Sequence, residues 1–102
     1  MAKGYWMVHI EVDDSAAFNN YVVSVADVFK KYGAHFLARA GQCEVVEGSA
    51  RSRNTILEFP SYQVAVDCWH SQEYQAVKAL RENAGRVDIP IVEGYDGLQP
   101  GE

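Results

Sequence analysis

The sequence predicts an α+β domain in which strands and helices follow the order β-α-β-β-α-β. Residues 4–12 alternate between apolar and mixed side chains, as a half-buried strand does. Residues 15–32 instead repeat apolar side chains at helical spacing. A third apolar stretch, residues 54–59, runs directly into Pro60 and Ser61. Because proline lacks an N–H and serine caps helices well, this stretch predicts a strand that ends where a helix begins.

The first strand is predicted to have two unlike faces. Its inward face is apolar, and its outward face carries Tyr5, Met7, His9 and Glu11. The helix that follows begins near Asp14, since aspartate and serine are favoured N-caps. Gly33 suits the position just after its last turn, because glycine adopts a left-handed backbone without steric cost.

The second and third strands are predicted to form a hairpin. The second covers residues 34–40, with Phe36, Ala38 and Ala40 inward and His35, Leu37 and Arg39 outward. We expect it to continue through residues 43–47 after a β-bulge at Gly41-Gln42, because an extra residue restores the alternation. The third strand places Leu57 and Phe59 inward and Ile56 and Glu58 outward.

The second half of the chain completes a ferredoxin-like arrangement. A helix after Ser61 is expected to break at Ser71, a second cap, and to resume until Gly85. Residues 87–93 form a last strand, in which Pro90 marks an edge or an irregularity. The expected result is a four-stranded antiparallel sheet with two helices on one face. Residues 1–94 form the single domain and residues 95–102 a C-terminal tail.

The outward face of this sheet is too apolar to remain in water. Its expected members are Tyr5, Met7, His9, Leu37, Ile56, Ile89 and Ile91. Both helices are already used on the inward face, so a second subunit is the simplest cover. We therefore predict a homodimer that packs sheet toward sheet, with a cavity between the sheet and the partner.

Composition and charge argue against several classes of partner. The net charge is −5 and no basic patch is present, so nucleic acid is not expected. No apolar run approaches the roughly 18 residues of a membrane span, so no membrane partner is expected. Cys43 and Cys68 are isolated in sequence, which is typical of buried free thiols in a reducing cytoplasm. We expect neither a metal nor a cofactor.

Several short motifs resemble one known family. They are Gly4-Tyr5-Trp6, Arg39-Ala40-Gly41, Glu47-Gly48, Glu58-Phe59-Pro60-Ser61, Ser71-x-x-Tyr74 and Val92-Glu93-Gly94. Together they resemble the family called domain of unknown function 1330 (DUF1330), a branch of the dimeric α+β barrel superfamily, over nearly the whole chain. The family usually has glycine where Ala40 stands. The resemblance implies a dimeric barrel and brings no established reaction.

Three side chains on neighbouring strands form the candidate site. His9, Glu58 and Arg39 are all expected on the outward face. Arg39 would hold an anionic group, and Glu58 or His9 would move a proton. A structural Glu58–Arg39 pair is equally compatible with the pattern, since a buried carboxylate needs a partner whatever its function.

Other residues are candidates for the wall of the cavity. Tyr5 could hydrogen-bond a ligand, and Trp69 and Tyr74 flank the helix break, where they could line a pocket mouth. In the alternative interpretation neither residue belongs to a site. Trp69 then packs in the core and Tyr74 is half-exposed.

Two hypotheses for function follow. In the first, the protein is a cytoplasmic homodimer that binds a small acidic or aromatic metabolite and acts on it as a cofactor-independent enzyme, an activity that the sequence leaves uncertain. In the second, it is a non-enzymatic dimer whose barrel is filled by its own side chains.

Overall fold

The computed structural model describes residues 2–102 as one antiparallel sheet with helices on one side. The elements are β1 (Gly4–Val12), α1 (Ser15–Lys31), β2 (His35–Arg39), β3 (Arg53–Phe59), α2 (Tyr62–His70), α3 (Gln72–Lys78), β4 (Gly85–Asp88) and β5 (Ile91–Glu93). A short 3-10 turn, Ala79–Arg81, follows α3. The strands lie in the order β2-β3-β1-β4, with β5 also paired to β1. This confirms the α+β class, whereas the strand and helix counts differ from the prediction.

The predicted last strand is divided in two. β4 pairs with the last four residues of β1, and β5 pairs with its first three. Between them the carbonyl of Pro90 accepts a hydrogen bond from the Met7 N–H at 3.0 Å. Because proline cannot donate to the ladder, the strand is interrupted there. Residues 2–102 therefore form five strands in place of the expected four.

The predicted second helix is divided at Ser71, as the sequence indicated. The Ser71 hydroxyl donates to the carbonyl of Cys68 at 2.7 Å, at the end of α2. The same oxygen accepts from the Tyr74 N–H at 3.1 Å, at the start of α3. One serine thus satisfies an orphaned carbonyl and an orphaned N–H, which fixes the break between the two helices.

The core is organised around Trp6, which is fully buried. The rings of Phe29, Phe59, Trp69 and Tyr74 surround it, with centroids 5.1 to 5.8 Å from the indole. Its Nε1–H donates to the carbonyl of Ala65 at 2.9 Å. The indole therefore buries its large apolar surface and satisfies its one polar group at once.

The two faces of the sheet are unequally covered. The face under the helices, called here the helix face, carries Trp6, Val8, Thr55, Leu57 and Phe59, all buried. The opposite face, called here the open face, carries Tyr5, Met7, His9, Ile56 and Glu58, as predicted. Ile89 and Ile91 were predicted there but pack against the core instead, so the apolar area of the open face is smaller than expected.

The two cysteines differ in their surroundings. Cys68 is buried, and desolvation raises the pKa of its thiol to about 12. Cys43 is exposed, contrary to the prediction, because residues 40–52 contain no helix or strand in the described chain. The expected continuation of the second strand over residues 43–47 is therefore wrong.

Ala40 ends β2 in a left-handed backbone conformation, with φ of 47°. Its N–H donates to the carbonyl of Asn54 at 3.0 Å, and Thr55 Oγ1 lies 3.2 Å away. A residue with a Cβ pays a steric penalty in this region, whereas glycine does not.

Substitution of Ala40 by glycine should therefore stabilise the protein. We expect Ala40→Gly to raise the free energy of unfolding by about 0.5–1 kcal/mol, measured by urea denaturation. The matched control is Ala76→Gly within α3, which should lower it by about 1 kcal/mol because glycine is a poor helix former. A loss of stability in both variants would contradict a strained Ala40.

Candidate functional site

β2 contains one residue more than the stretch of β3 with which it pairs. Phe36 lies opposite Leu57. Two residues further along β2, Ala38 lies opposite Ile56, which is adjacent to Leu57 in β3. Leu37 is therefore the extra residue of a β-bulge, and it reverses the facing of the side chains that follow it. The sequence predicted a bulge too, but beyond the end of the strand rather than inside it.

Arg39 lies on the helix face because of this bulge. Its partner across the ladder is Thr55, a buried residue of that face. Its guanidinium stands over the Phe36 ring, with Cζ 4.3 Å from the centroid. The expected grouping of Arg39 with Glu58 and His9 on the open face is therefore wrong, because the prediction placed the bulge after Arg39.

A cavity of about 260 Å³, called here the helix-side pocket, lies between α1 and the sheet beside β2. Its walls are mostly aliphatic and aromatic side chains of α1 and of the helix face. Its polar side chains are Asn19, Tyr21, Arg39, Arg53 and Thr55. Two smaller depressions of about 210 Å³ each share lining residues with it, so the pocket continues as a groove along α1.

Arg39 and Arg53 give the pocket its charge. The ion pairs among residues 2–102 are Lys31–Glu73, Arg51–Asp88 and Arg86–Asp13, so neither pocket arginine has a carboxylate partner in this part of the chain. Among residues 2–102, no acidic side chain lines the pocket. Both arginines are exposed, and their guanidinium groups border apolar walls, a combination that suits an anion attached to an apolar body.

Tyr21 lines the same pocket, and its hydroxyl meets Tyr74 and Arg81, which do not line it. Its oxygen lies 2.8 Å from the hydroxyl of Tyr74. Arg81 donates through Nη2 to the Tyr74 hydroxyl at 3.4 Å, and its Cζ lies 5.1 Å from the centroid of the Tyr21 ring. Desolvation, followed by the neighbouring Tyr74, raises the pKa of Tyr21 far above its ordinary value. Tyr21 therefore stays a neutral hydroxyl.

Trp69 and Tyr74 do not line the helix-side pocket. Tyr74 is fully buried rather than half-exposed, and in the core it packs edge-on against Trp6 and stacks on Phe29. Trp69 is partly buried beside the same cluster, with the Lys78 ammonium 5.9 Å from its ring centroid. The structure therefore places both side chains in the packing of the core.

Glu58 is paired with Tyr5 on the open face. The Tyr5 hydroxyl donates to Glu58 Oε2 at 3.1 Å, and His35 lies opposite Glu58 in β2. Desolvation, followed by this hydrogen bond and the charge of the carboxylate, raises the pKa of Tyr5. The expected Glu58–Arg39 ion pair is thus replaced by a tyrosine–carboxylate hydrogen bond.

His9 lies apart from Glu58, further along β1. Glu58 is opposite Tyr5, whereas His9 is opposite Asn54, four residues along the strand and therefore roughly 13 Å away. His9 Nδ1 and Asn54 Oδ1 are 2.7 Å apart. The histidine borders a polar depression of about 560 Å³ whose other charged members are Glu11, Arg51, Arg86 and Asp88.

The charges in that depression are already satisfied within the chain. The N–H and the hydroxyl of Ser52 lower the pKa of Glu11 by hydrogen bonding to its carboxylate at 2.7 and 3.0 Å. Arg51 Nε donates to Asp88 at 2.7 Å, and Arg86 donates to Asp13 at 3.1 Å. These bonds attach the loop after residue 48 to the sheet, so they describe a structural role.

Within residues 2–102, no three His, Cys, Asp or Glu side chains are grouped closely enough to hold a metal ion. None of the helices in that range is both long enough and apolar enough to cross a membrane.

Sequence reasoning missed Tyr21, Arg53 and Asn19 as pocket residues. Tyr21 was assigned to the apolar face of the first helix, and its hydroxyl was the available signal that this face meets something polar. Every second residue of β3 faces inward, so Arg53 lies on the same face of the sheet as Leu57 and Thr55. Its partner in β1 is Ile10. A charged residue in that register would have indicated a site on the helix face.

Solved structures similar to this chain share its fold. The RPA0582 protein of unknown function from Rhodopseudomonas palustris matches with a TM-score of 0.73 and 14% identity, over 97% of this chain and 85% of that one. An ethyl tert-butyl ether D (EthD) family protein from Bacillus halodurans matches with a TM-score of 0.57 and 13% identity, over 93% and 100%. A Caulobacter crescentus protein provisionally named an antibiotic biosynthesis monooxygenase matches with a TM-score of 0.57 and 12% identity, over 96% and 92%.

The curated proteins include no match to this chain. The sequence profile of "Domain of unknown function (DUF1330)" matches residues 3–95, which is nearly the whole length of the chain. The chain therefore belongs to the DUF1330 family.

Proposed function

We propose that the protein binds a small amphipathic acid in the helix-side pocket. The observation that carries the proposal is the pair of exposed arginines, Arg39 and Arg53, which line a mostly apolar pocket and have no carboxylate partner among residues 2–102. The anionic group of the ligand would lie at these arginines. Its aromatic or aliphatic body would lie between α1 and the sheet.

The dimensions and chemistry of the pocket support a ligand of modest size. Its volume of about 260 Å³ is just below the roughly 300–1,000 Å³ that drug-sized ligands require. Burial of the ligand body contributes about 25 cal/mol per Å² of apolar surface, and charge-assisted hydrogen bonds from arginine add specificity for a carboxylate. Substituted benzoates and short-chain acids have this size and chemistry.

An enzymatic version of the proposal acts on the same ligand. It is supported by the provisional name of the Caulobacter crescentus protein, an antibiotic biosynthesis monooxygenase, which shares the fold at 12% identity. Cys68 does not serve such a reaction as a nucleophile, because it is buried with a thiol pKa of about 12. The proposal that the protein catalyses a reaction therefore has less support than the proposal that it binds a ligand.

We also propose that the protein is a homodimer whose open faces pack toward each other. Three features support this. The helices cover only one face of the sheet, and β2 is exposed along its whole length. Exposed apolar side chains also border the open face, including Leu37 and Val92. In this arrangement Tyr5, Glu58 and His9 would line the space between subunits, which keeps them as candidate ligand-binding residues there.

A non-enzymatic dimer is the alternative, with the space between subunits filled by side chains of the open face. The Tyr5–Glu58 hydrogen bond favours this role for Glu58, because the carboxylate already has a partner in its own chain. Trp69 contributes to core packing in either case.

Removal of either pocket arginine should weaken binding of an acid but not of its neutral analogue. The probe is 4-isopropylbenzoate, and its neutral counterpart is 4-isopropylbenzyl alcohol, both measured by isothermal titration calorimetry. Arg39→Gln and Arg53→Gln should each weaken binding of the benzoate about tenfold, because a charge-assisted hydrogen bond contributes about 1.5 kcal/mol. The alcohol should bind the variants and the wild type equally.

Arg86→Gln is the matched control, since Arg86 is exposed and lies outside the pocket. It should bind the benzoate as the wild type does. Equal weakening in all three variants would point to the overall charge of the protein rather than to the pocket. Failure of the wild type to bind the benzoate at millimolar concentration would argue against this ligand class.

A charge placed in the centre of the open face should dissociate the proposed dimer. Met7 and Ile56 are opposite each other there, so Met7→Lys or Ile56→Lys would bury an unpaired ammonium in the interface. We expect a monomer by light scattering coupled to gel filtration, with unchanged circular dichroism. Val23→Lys, on the exposed side of α1, should leave the mass unchanged. Mass action favours association at high protein concentration. A wild-type protein that remains monomeric there would count against the dimer.

A further inference from the structure

The helix-side pocket continues toward the start of β2. The smaller space there, called here the β2-side depression, has a volume of about 210 Å³ and is bordered by Ala26, Lys30 and Ala34. The other residues that line it also line the pocket, namely Val22, Val25, Phe29, Phe36 and Arg39. Because the two spaces share these side chains, they adjoin each other and form one elongated groove between α1 and the sheet.

The β2-side depression is the apolar continuation of the pocket. Within residues 2–102, the polar side chains that line it are those of Lys30 and Arg39 alone. The depression at the other end of the pocket, near the start of α1, has Ser15, Asn19 and Arg53 among its lining residues. An apolar chain would cover the polar groups of Ser15 and Asn19 without bonding to them, which costs free energy. An apolar ligand chain is therefore expected to extend toward β2 rather than toward the start of α1.

Arg39 stands where the pocket and the β2-side depression meet, since it lines both. Its guanidinium lies over Phe36, with Cζ 4.3 Å from the ring centroid. A guanidinium that stacks on a ring keeps its in-plane N–H groups free for a carboxylate. An arginine side chain also lays its aliphatic stem along apolar surface while its charged end stays in water. Arg39 can therefore hold an acid group at the rim of the groove while an apolar chain lies along its stem.

We propose that the ligand is a straight-chain carboxylic acid of medium length, whose chain fills the pocket and then the β2-side depression. This rests on the proposed function, which supplies the acid group at Arg39 and Arg53. The pocket alone, at about 260 Å³, suits a short chain or a single ring, whereas the two adjoining spaces suit an extended chain. Each further CH₂ group that enters the depression leaves water and strengthens binding about twofold to fourfold.

The test is the affinity of a series of straight-chain acids, namely butanoate, hexanoate, octanoate and decanoate. Isothermal titration calorimetry measures each one below the concentration at which it forms micelles. The wild type should bind every longer acid more tightly, by about fourfold to sixteenfold for each pair of CH₂ groups.

Ala26→Trp should shorten the groove, because Ala26 is exposed and lines the β2-side depression but not the pocket. This variant should bind butanoate as the wild type does and should lose the gain in affinity of the longer acids. Ala16→Trp fills the depression at the other end of the pocket and should leave the whole series unchanged. Val23→Trp, on the exposed side of α1, is the matched control for a large side chain on this helix and should also leave the series unchanged.

The outcomes separate this inference from the proposed function. Equal affinity of the wild type for butanoate and decanoate would overturn the inference while leaving the proposed function in place. A dependence on chain length that Ala26→Trp does not change would also overturn it, because the chain would then lie elsewhere. Failure of both the straight-chain acids and 4-isopropylbenzoate to bind the wild type would overturn the proposed function itself.

Nuclear magnetic resonance provides a measurement on the wild-type protein that does not depend on the stability of the variants. In protein labelled with ¹³C at its alanine methyl groups, decanoate should shift the signals of Ala26 and Ala34, whereas butanoate should leave them in place. The signal of Ala16 should stay in place with both acids. A decanoate-induced shift of Ala16, or none of Ala26 and Ala34, would overturn the assignment of the chain to the β2-side depression.

Discussion

The packing of Trp6 holds the layers of this protein together. Its indole lies on β1, and the rings around it come from α1, β3, α2 and α3, while its N–H is satisfied by the Ala65 carbonyl. The cluster draws α2 against β1 and β5 and leaves the β2 side of α1 without a helical neighbour. The helix-side pocket occupies that region, so its location is a consequence of where the aromatic side chains are concentrated.

Much of the fold could be predicted because local signals and burial agreed. The alternation in β1, the N-cap at Asp14 and the double cap at Ser71 each correspond to an interaction that the structure contains. The division of the last strand at Pro90 was foreshadowed by the missing N–H, although its extent was not. What could not be predicted was β2, because its residues are exposed on both faces and no pattern of burial fixes its register.

The predicted grouping of the site residues depended on the register of β2 against β3. A bulge at Leu37 rather than at Gly41 separates Arg39 from Glu58 and joins it to Arg53 and the apolar side of α1. Parity arguments carry no information about where an extra residue is inserted, since every position within an exposed strand is locally acceptable. The types of group in the site were therefore predictable from sequence, but their grouping was not. The hydroxyl of Tyr21 was hidden for a different reason, because a tyrosine on an apolar helix face resembles an ordinary core residue.

The bulge in β2 also bears on the solubility of the chain. β2 is an edge strand, and an exposed edge offers unpaired N–H and C=O groups on which a strand of another molecule can add. Natural proteins discourage such growth with bulges and with charged side chains turned toward the sheet interior. β2 has both, in Leu37 and Arg39. Two residues that help to shape the helix-side pocket thus also supply the features that discourage such growth, and a change that straightened β2 would remove one of them from this edge.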